Sequence, residues 1–166
     1  MREQNSGSFE TVPMGAMLER VTIETSRFGA LEVSKDSRFT FATGIPGFGG
    51  CRELYLFPNP GGGCFEWLHA SDETGLGFPV MTPDEALFDI ISKQVMSARR
   101  MLGWGDSDEV DARLIVTIPA GNPEQATMNL RAPMLLNRTR GQGSQPLLND
   151  ETLPFRLPLF PQVNDD

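Results

Sequence analysis

The sequence predicts a mainly β fold, a single domain built as a closed or nearly closed antiparallel β-barrel. Short runs rich in β-branched and aromatic residues recur along the chain, bounded by glycine, proline or asparagine. Only residues 82–104 carry apolar side chains at helical spacing. The 166 residues, 39% of them apolar, suit one hydrophobic core.

Residues 1–17 mix Asn, Ser, Gly and Pro without a hydrophobic period and read as a flexible N-terminal extension. Residues 18–160 read as the barrel domain, and 161–166 as an acidic C-terminal tail. Val21, Ile23 and Thr25 alternate with Arg20, Thr22 and Glu24, which is the period of a half-buried strand. Residues 28–33 form a second strand around a tight turn at Gly29, and 38–41 a third. The glycine- and proline-rich loop 44–50 then carries two apolar side chains, Ile45 and Phe48.

Residues 53–57 and 64–69 flank Pro58-Asn59-Pro60-Gly61-Gly62-Gly63 and read as a β-hairpin. A symmetric register sets Phe57 opposite Cys64 and leaves Cys51 too distant for a disulfide. Residues 76–80 form a short strand whose Pro79 suits an edge. Residues 111–119 read as a central strand and 127–137 as another, returning through 141–144 to a last run at 145–148. Between them, Thr82-Pro83-Asp84-Glu85 reads as a capping box with proline at the first helical position. Leu87, Ile90, Ile91, Val95, Ala98 and Leu102 follow at helical spacing, so local pattern predicts one long helix ending before Gly103.

Charge and missing motifs narrow the function. Twenty-two acids against 14 bases give a net charge of −8. Such a chain repels phosphate backbones, so no direct nucleic-acid binding is expected. Residues 72–111 hold nine acids and three bases, which is either a solvated face or a patch for a basic partner. No apolar run approaches the roughly 20 residues of a membrane span, and residues 1–10 lack the apolar stretch of a signal peptide. A cytoplasmic protein with free Cys51 and Cys64 is expected.

The glycine-rich nucleotide loops, the His-Glu-x-x-His zinc motif and the Gly-x-Ser-x-Gly elbow are absent. His69 is the only histidine and lies on an aromatic strand, where a structural role suits it. Cys51, Cys64 and His69 lack zinc-site spacing, so no metal or cofactor is expected. Asp106, Asp108, Glu109 and Asp111 cluster in a turn-like stretch, as solvated acids do. A carboxylate-dependent hydrolase or a small-molecule-binding barrel stands as the alternative class. Tyr55, Phe57, Phe65 and Trp67 neighbour Glu53 and Glu66 rather than basic residues, which favours core packing over RNA stacking.

Taken in order, several pieces resemble the FliW family of bacterial flagellar assembly factors. They are Ile23-Glu24-Thr25-Ser26-Arg27-Phe28-Gly29, Phe41-Ala42-Thr43-Gly44-Ile45-Pro46-Gly47-Phe48, Trp67-Leu68-His69-Ala70-Ser71 and Leu76-Gly77-Phe78-Pro79-Val80. Pro83, Leu114-Ile115-Val116-Thr117-Ile118-Pro119, Thr127-Met128-Asn129-Leu130-Arg131-Ala132-Pro133, Asn137 and residues 145–148 continue the match. The resemblance implies a non-enzymatic, β-barrel-like protein, monomeric when free, that binds flagellin and CsrA, a small dimeric RNA-binding translational repressor. In such proteins the free form holds CsrA off the flagellin messenger, and accumulated flagellin captures the protein and releases CsrA. The resemblance also implies a strand at 87–94 and one short helix after about residue 94, against the capping-box reading. That version is adopted as the expectation. The candidate partner contacts are the acids Asp72, Glu73, Asp84 and Glu85, the edge residues Phe78 and Pro79, and Asn129 and Arg131 in the most family-like segment.

Overall fold

The computed structural model describes residues 19–160; the expected 1–17 extension and 161–166 tail lie outside the described residues. The chain runs through β1 (Arg20–Thr25), β2 (Gly29–Ser34), β3 (Arg38–Thr40), β4 (Glu53–Pro58), β5 (Glu66–Ala70) and β6 (Gly77–Met81). It continues with α1 (Glu85–Met101), β7 (Val110–Thr117), β8 (Thr127–Met128), β9 (Met134–Asn137), β10 (Gln142–Ser144) and β11 (Leu157–Pro158).

Strands β3 to β7 pair antiparallel in chain order. Strand β9 pairs antiparallel with both β7 and β10, and β10 reaches β3 through one parallel bridge, Gln142 to Thr40. Seven strands therefore close into a ring, the barrel the sequence predicts. The Thr40 N–H donates to the Gly141 carbonyl at 2.9 Å across this seam. Strand β7 is the hub: Val110 to Arg113 face β9, while Val116 and Thr117 pair with β8, which carries β11.

Alternation decides what each strand buries. Leu54 and Leu56 of β4 point inward with Phe39, Phe41, Leu68, Val80, Met134 and Leu136. Tyr55 and Phe57 of the same strand point outward, where the β1–β2 hairpin covers them with Ile23 and Val33. Each fully buried side chain of this size contributes about 1.5–3 kcal/mol. Inside the ring, Glu66 is paired with Arg113 at 2.7 Å.

The helix is the main correction. It runs unbroken from Glu85 to Met101, so no strand occupies 87–94 and the helix is not a short one after residue 94. The barrel closes through β9 and β10 and needs no strand there. Ile91, Val95 and Ala98 form the buried stripe, packed on Ala112, Leu114, Leu135, Leu148 and Leu153 outside the ring. The cap is Asp84 rather than Thr82: its Oδ1 accepts the Leu87 N–H at 2.8 Å.

Three smaller expectations also shift. The β4–β5 register sets Phe57 opposite Trp67, not Cys64. A longer loop at 59–65 makes the difference, tied by Asn59, which donates to the Gly62 carbonyl and accepts from the Trp67 indole. The single strand expected at 127–137 is two, β8 and β9, split where the Asn129 Oδ1 accepts the Arg131 and Ala132 N–H groups. Residues 145–148 are not a strand; the Leu148 N–H bonds the Arg131 carbonyl instead.

Candidate protein-binding groove

The β6–β7 ladder has only two pairs, Val80 with Ile115 and Met81 with Leu114. Continuing it would set Pro79 opposite Val116, but proline has no N–H to donate. The strands part there, and a groove of about 810 Å³ opens between them. Its walls include Phe48, Phe78, Pro79, Ile118 and Pro119. Phe48 and Ile118 are 46% and 42% exposed, a large apolar surface for a mouth to leave open.

Phe48 is placed by its loop. The Phe48 N–H donates to the Ile45 carbonyl at 2.7 Å, and Gly44, at φ +74°, packs so close to Gly49 that a Cβ would meet its oxygen at 2.7 Å. The Phe48 ring meets Phe78 edge-on with centroids 5.6 Å apart. At the other side of the groove stands Arg27, in the β1–β2 turn. Thr25 shapes that turn, its hydroxyl accepting the Phe28 N–H and donating to the Gly29 carbonyl. The Ser26 N–H pins it to the Thr74 carbonyl at 2.7 Å. The Arg27 guanidinium sits 4.9 Å from the Trp67 ring centroid and forms no ion pair among the described residues. It is the one charged side chain in the groove wall among the described residues.

Beneath Trp67 a hollow of about 300 Å³ continues to His69 and Thr74. His69 is buried, its Nδ1 2.9 Å from the Ala70 carbonyl. Gly77 lies against it: a Cβ there would stand 2.5 Å from the imidazole Cδ2. Across Phe48 a further hollow is lined by Cys51, Asp72, Glu73 and Leu76. Burial pushes the Cys51 thiol up, and the charges of Asp72 and Glu73 add to the shift.

Of the eight candidate contacts, the structure brings four together. Asp72, Glu73, Phe78 and Pro79 surround Phe48, the acids on one side and the edge residues on the other. Asp84 is engaged as a helix cap, with exposed Glu85 beside it in the first turn. Asn129 closes the β8–β9 turn, and the Arg131 Nε donates to the Leu153 carbonyl at 2.8 Å with its guanidinium over Phe155. Arg131 thereby ties residues 151–155 to the β8–β9 turn. Sequence reasoning did not single out Arg27, Phe48 or Ile118. The readable signal was Phe48 itself, a large aromatic in a glycine loop that offers nowhere to bury it.

A second apolar surface lies on α1. Met101 and Leu147 are 86% and 67% exposed across a trough of about 340 Å³ that also includes Ala98, Leu102 and Leu148. Two acids of the 106–111 cluster are held in ion pairs, Asp108 with Arg140 at 2.8 Å and Asp111 with Arg138. That leaves the hydrolase alternative without a free pair of buried carboxylates among the described residues.

Residues 22–159 match the family described as FliW protein. The chain belongs to the FliW family. The flagellar assembly factor FliW of Bdellovibrio bacteriovorus is 33% identical over 143 residues, covering 85% of this chain and 80% of that protein. That of Leptospira biflexa is 35% identical over 147 residues, covering 87% and 95%. A crystal structure of the flagellar assembly factor FliW superposes with a TM-score of 0.69 at 23% identity, covering 85% of this chain and 98% of that one. The FliW fold is thus shared along nearly the whole barrel. Among the described residues no helix is long and apolar enough to cross a membrane.

Proposed function

We propose that this protein acts in the cytoplasm by holding protein partners, a CsrA-type translational repressor and flagellin, and that it sets flagellin synthesis by which of them it holds. Membership of a family of flagellar assembly factors carries this reading. The groove supports it physically, because half-exposed aromatic and aliphatic side chains around a preformed cleft are what a protein partner buries. A net charge of −8 beside a captured RNA-binding protein would add repulsion of the messenger to any steric block.

Co-elution of the purified full chain with CsrA, and separately with flagellin, tests the reading by size-exclusion chromatography. The expected result is a discrete complex with each. A chain that elutes alone in both mixtures would overturn it.

A further inference from the structure

We propose that the groove between β6 and β7 is a strand-addition site for an extended apolar segment of another protein, one that carries an acidic side chain received by Arg27. The site deepens the protein-binding reading above and rests on it.

The backbone leaves a place for a strand. Along β7 the Ile115 carbonyl accepts the Asn129 N–H at 2.9 Å, and Thr117 pairs with Thr127 on the β8 side. Main-chain groups alternate between the two edges of a strand, so Val116 turns its own toward β6. There it meets Pro79, which has no N–H and lies beyond the end of the ladder. An added strand supplies the missing partners, and its alternate side chains fall into the wall formed by Phe48, Phe78, Ile118 and Pro119.

Charge selects the occupant. Among the described residues the wall carries a single charge, Arg27, held against Trp67 and without an ion pair. A carboxylate brought to it gains charge-assisted hydrogen bonds at the edge of an apolar cleft. Across Phe48 stand Asp72 and Glu73. Those two acids line the neighbouring hollow and not the groove itself, which is apolar with one cationic point among the described residues. A segment matching it is apolar with one acidic side chain at the end that meets Arg27. A uniformly acidic peptide is repelled by the protein's net charge of −8.

Panning random phage-displayed peptides on the full chain tests this, followed by fluorescence anisotropy with the selected peptides made synthetically. The expected selection shows alternating apolar residues with an Asp or Glu at one end. Arg27→Gln should weaken binding about tenfold, as loss of a charge-assisted contact does. Replacing the peptide acid by its amide should cost the same on the wild type and nothing more on Arg27→Gln. Ile118→Arg should abolish binding, while Arg20→Gln on the same hairpin should leave it unchanged, with thermal melts confirming that each variant folds.

Selected peptides without an acid, no coupling between that acid and Arg27, or binding lost to Met101→Arg instead of Ile118→Arg would overturn the assignment. So would tight binding of short carboxylic acids alone, or self-association abolished by Ile118→Arg. Co-elution with CsrA or flagellin while the peptides fail sinks the groove and spares the function. Coupled peptides with neither co-elution do the reverse.

Discussion

Gly143 lies so close to the Phe41 ring that an added Cβ would stand 2.4 Å from its Cζ. Phe41 is wholly buried and cannot retreat, so Gly143→Ala should cost about 1–3 kcal/mol by overpacking, read as a lower urea midpoint. Asp108 is a second residue with a readable consequence. The Asn137 amide, the Gly105 N–H and Arg140 all donate to its Oδ2, at 3.0, 3.1 and 2.8 Å, and hold the carboxyl below its ordinary value of 3.8. A depressed carboxylate contributes stability that is present above the ordinary value and lost as pH falls through the lower folded one. Melting temperature should therefore fall below about pH 3.8, and Asp108→Asn should flatten part of that decline. Asp150, depressed by Thr152, should supply part of what remains. The two thiols should also separate: a thiol reagent should modify exposed Cys64 first and buried Cys51 only as the protein unfolds.

At the scale of elements, α1 shows how local and family-level signals compete. Ile91, Val95 and Ala98 repeat at helical spacing in the sequence, and the structure buries those three residues. The resemblance drew residues 87–94 toward a strand, although the ring is complete without one. Ile91→Ala should cost about 2–5 kcal/mol in a guanidinium titration. Asp84→Ala should cost only about 0.5–2 kcal/mol in the same measurement, because it removes a cap and no packing. The hairpin register was less legible. It depends on Asn59, whose amide bonds with Gly62 and Trp67 lengthen the loop beyond what a glycine run announces. The split between β8 and β9 was missed although Asn129 and Pro133, both turn residues, stand inside the run read as one strand.

For the whole molecule, the barrel was legible because short alternating strands with turn residues leave few other ways to bury both Leu54 and Tyr55 of one strand. The groove was only half legible. Pro79 suited an edge in the sequence, whereas β6 pairs with both β5 and β7 inside the ring, and only its first residues, before Val80, lack a partner on β7. Arg27 could not be found without the fold, since residues far apart in the chain bring it to Trp67 and the groove wall.

The single parallel bridge from Thr40 to Gln142 has a consequence for how the protein is made. Its two ends lie about a hundred residues apart, a separation that slows folding. At ribosomal speeds of about 5–20 residues per second, β3 waits roughly 5–20 seconds for the strand that covers it. Until then the nascent sheet has two open edges and an uncovered Phe39 and Phe41. Any stall in translation before residue 142 therefore leaves a chain that is ready to aggregate.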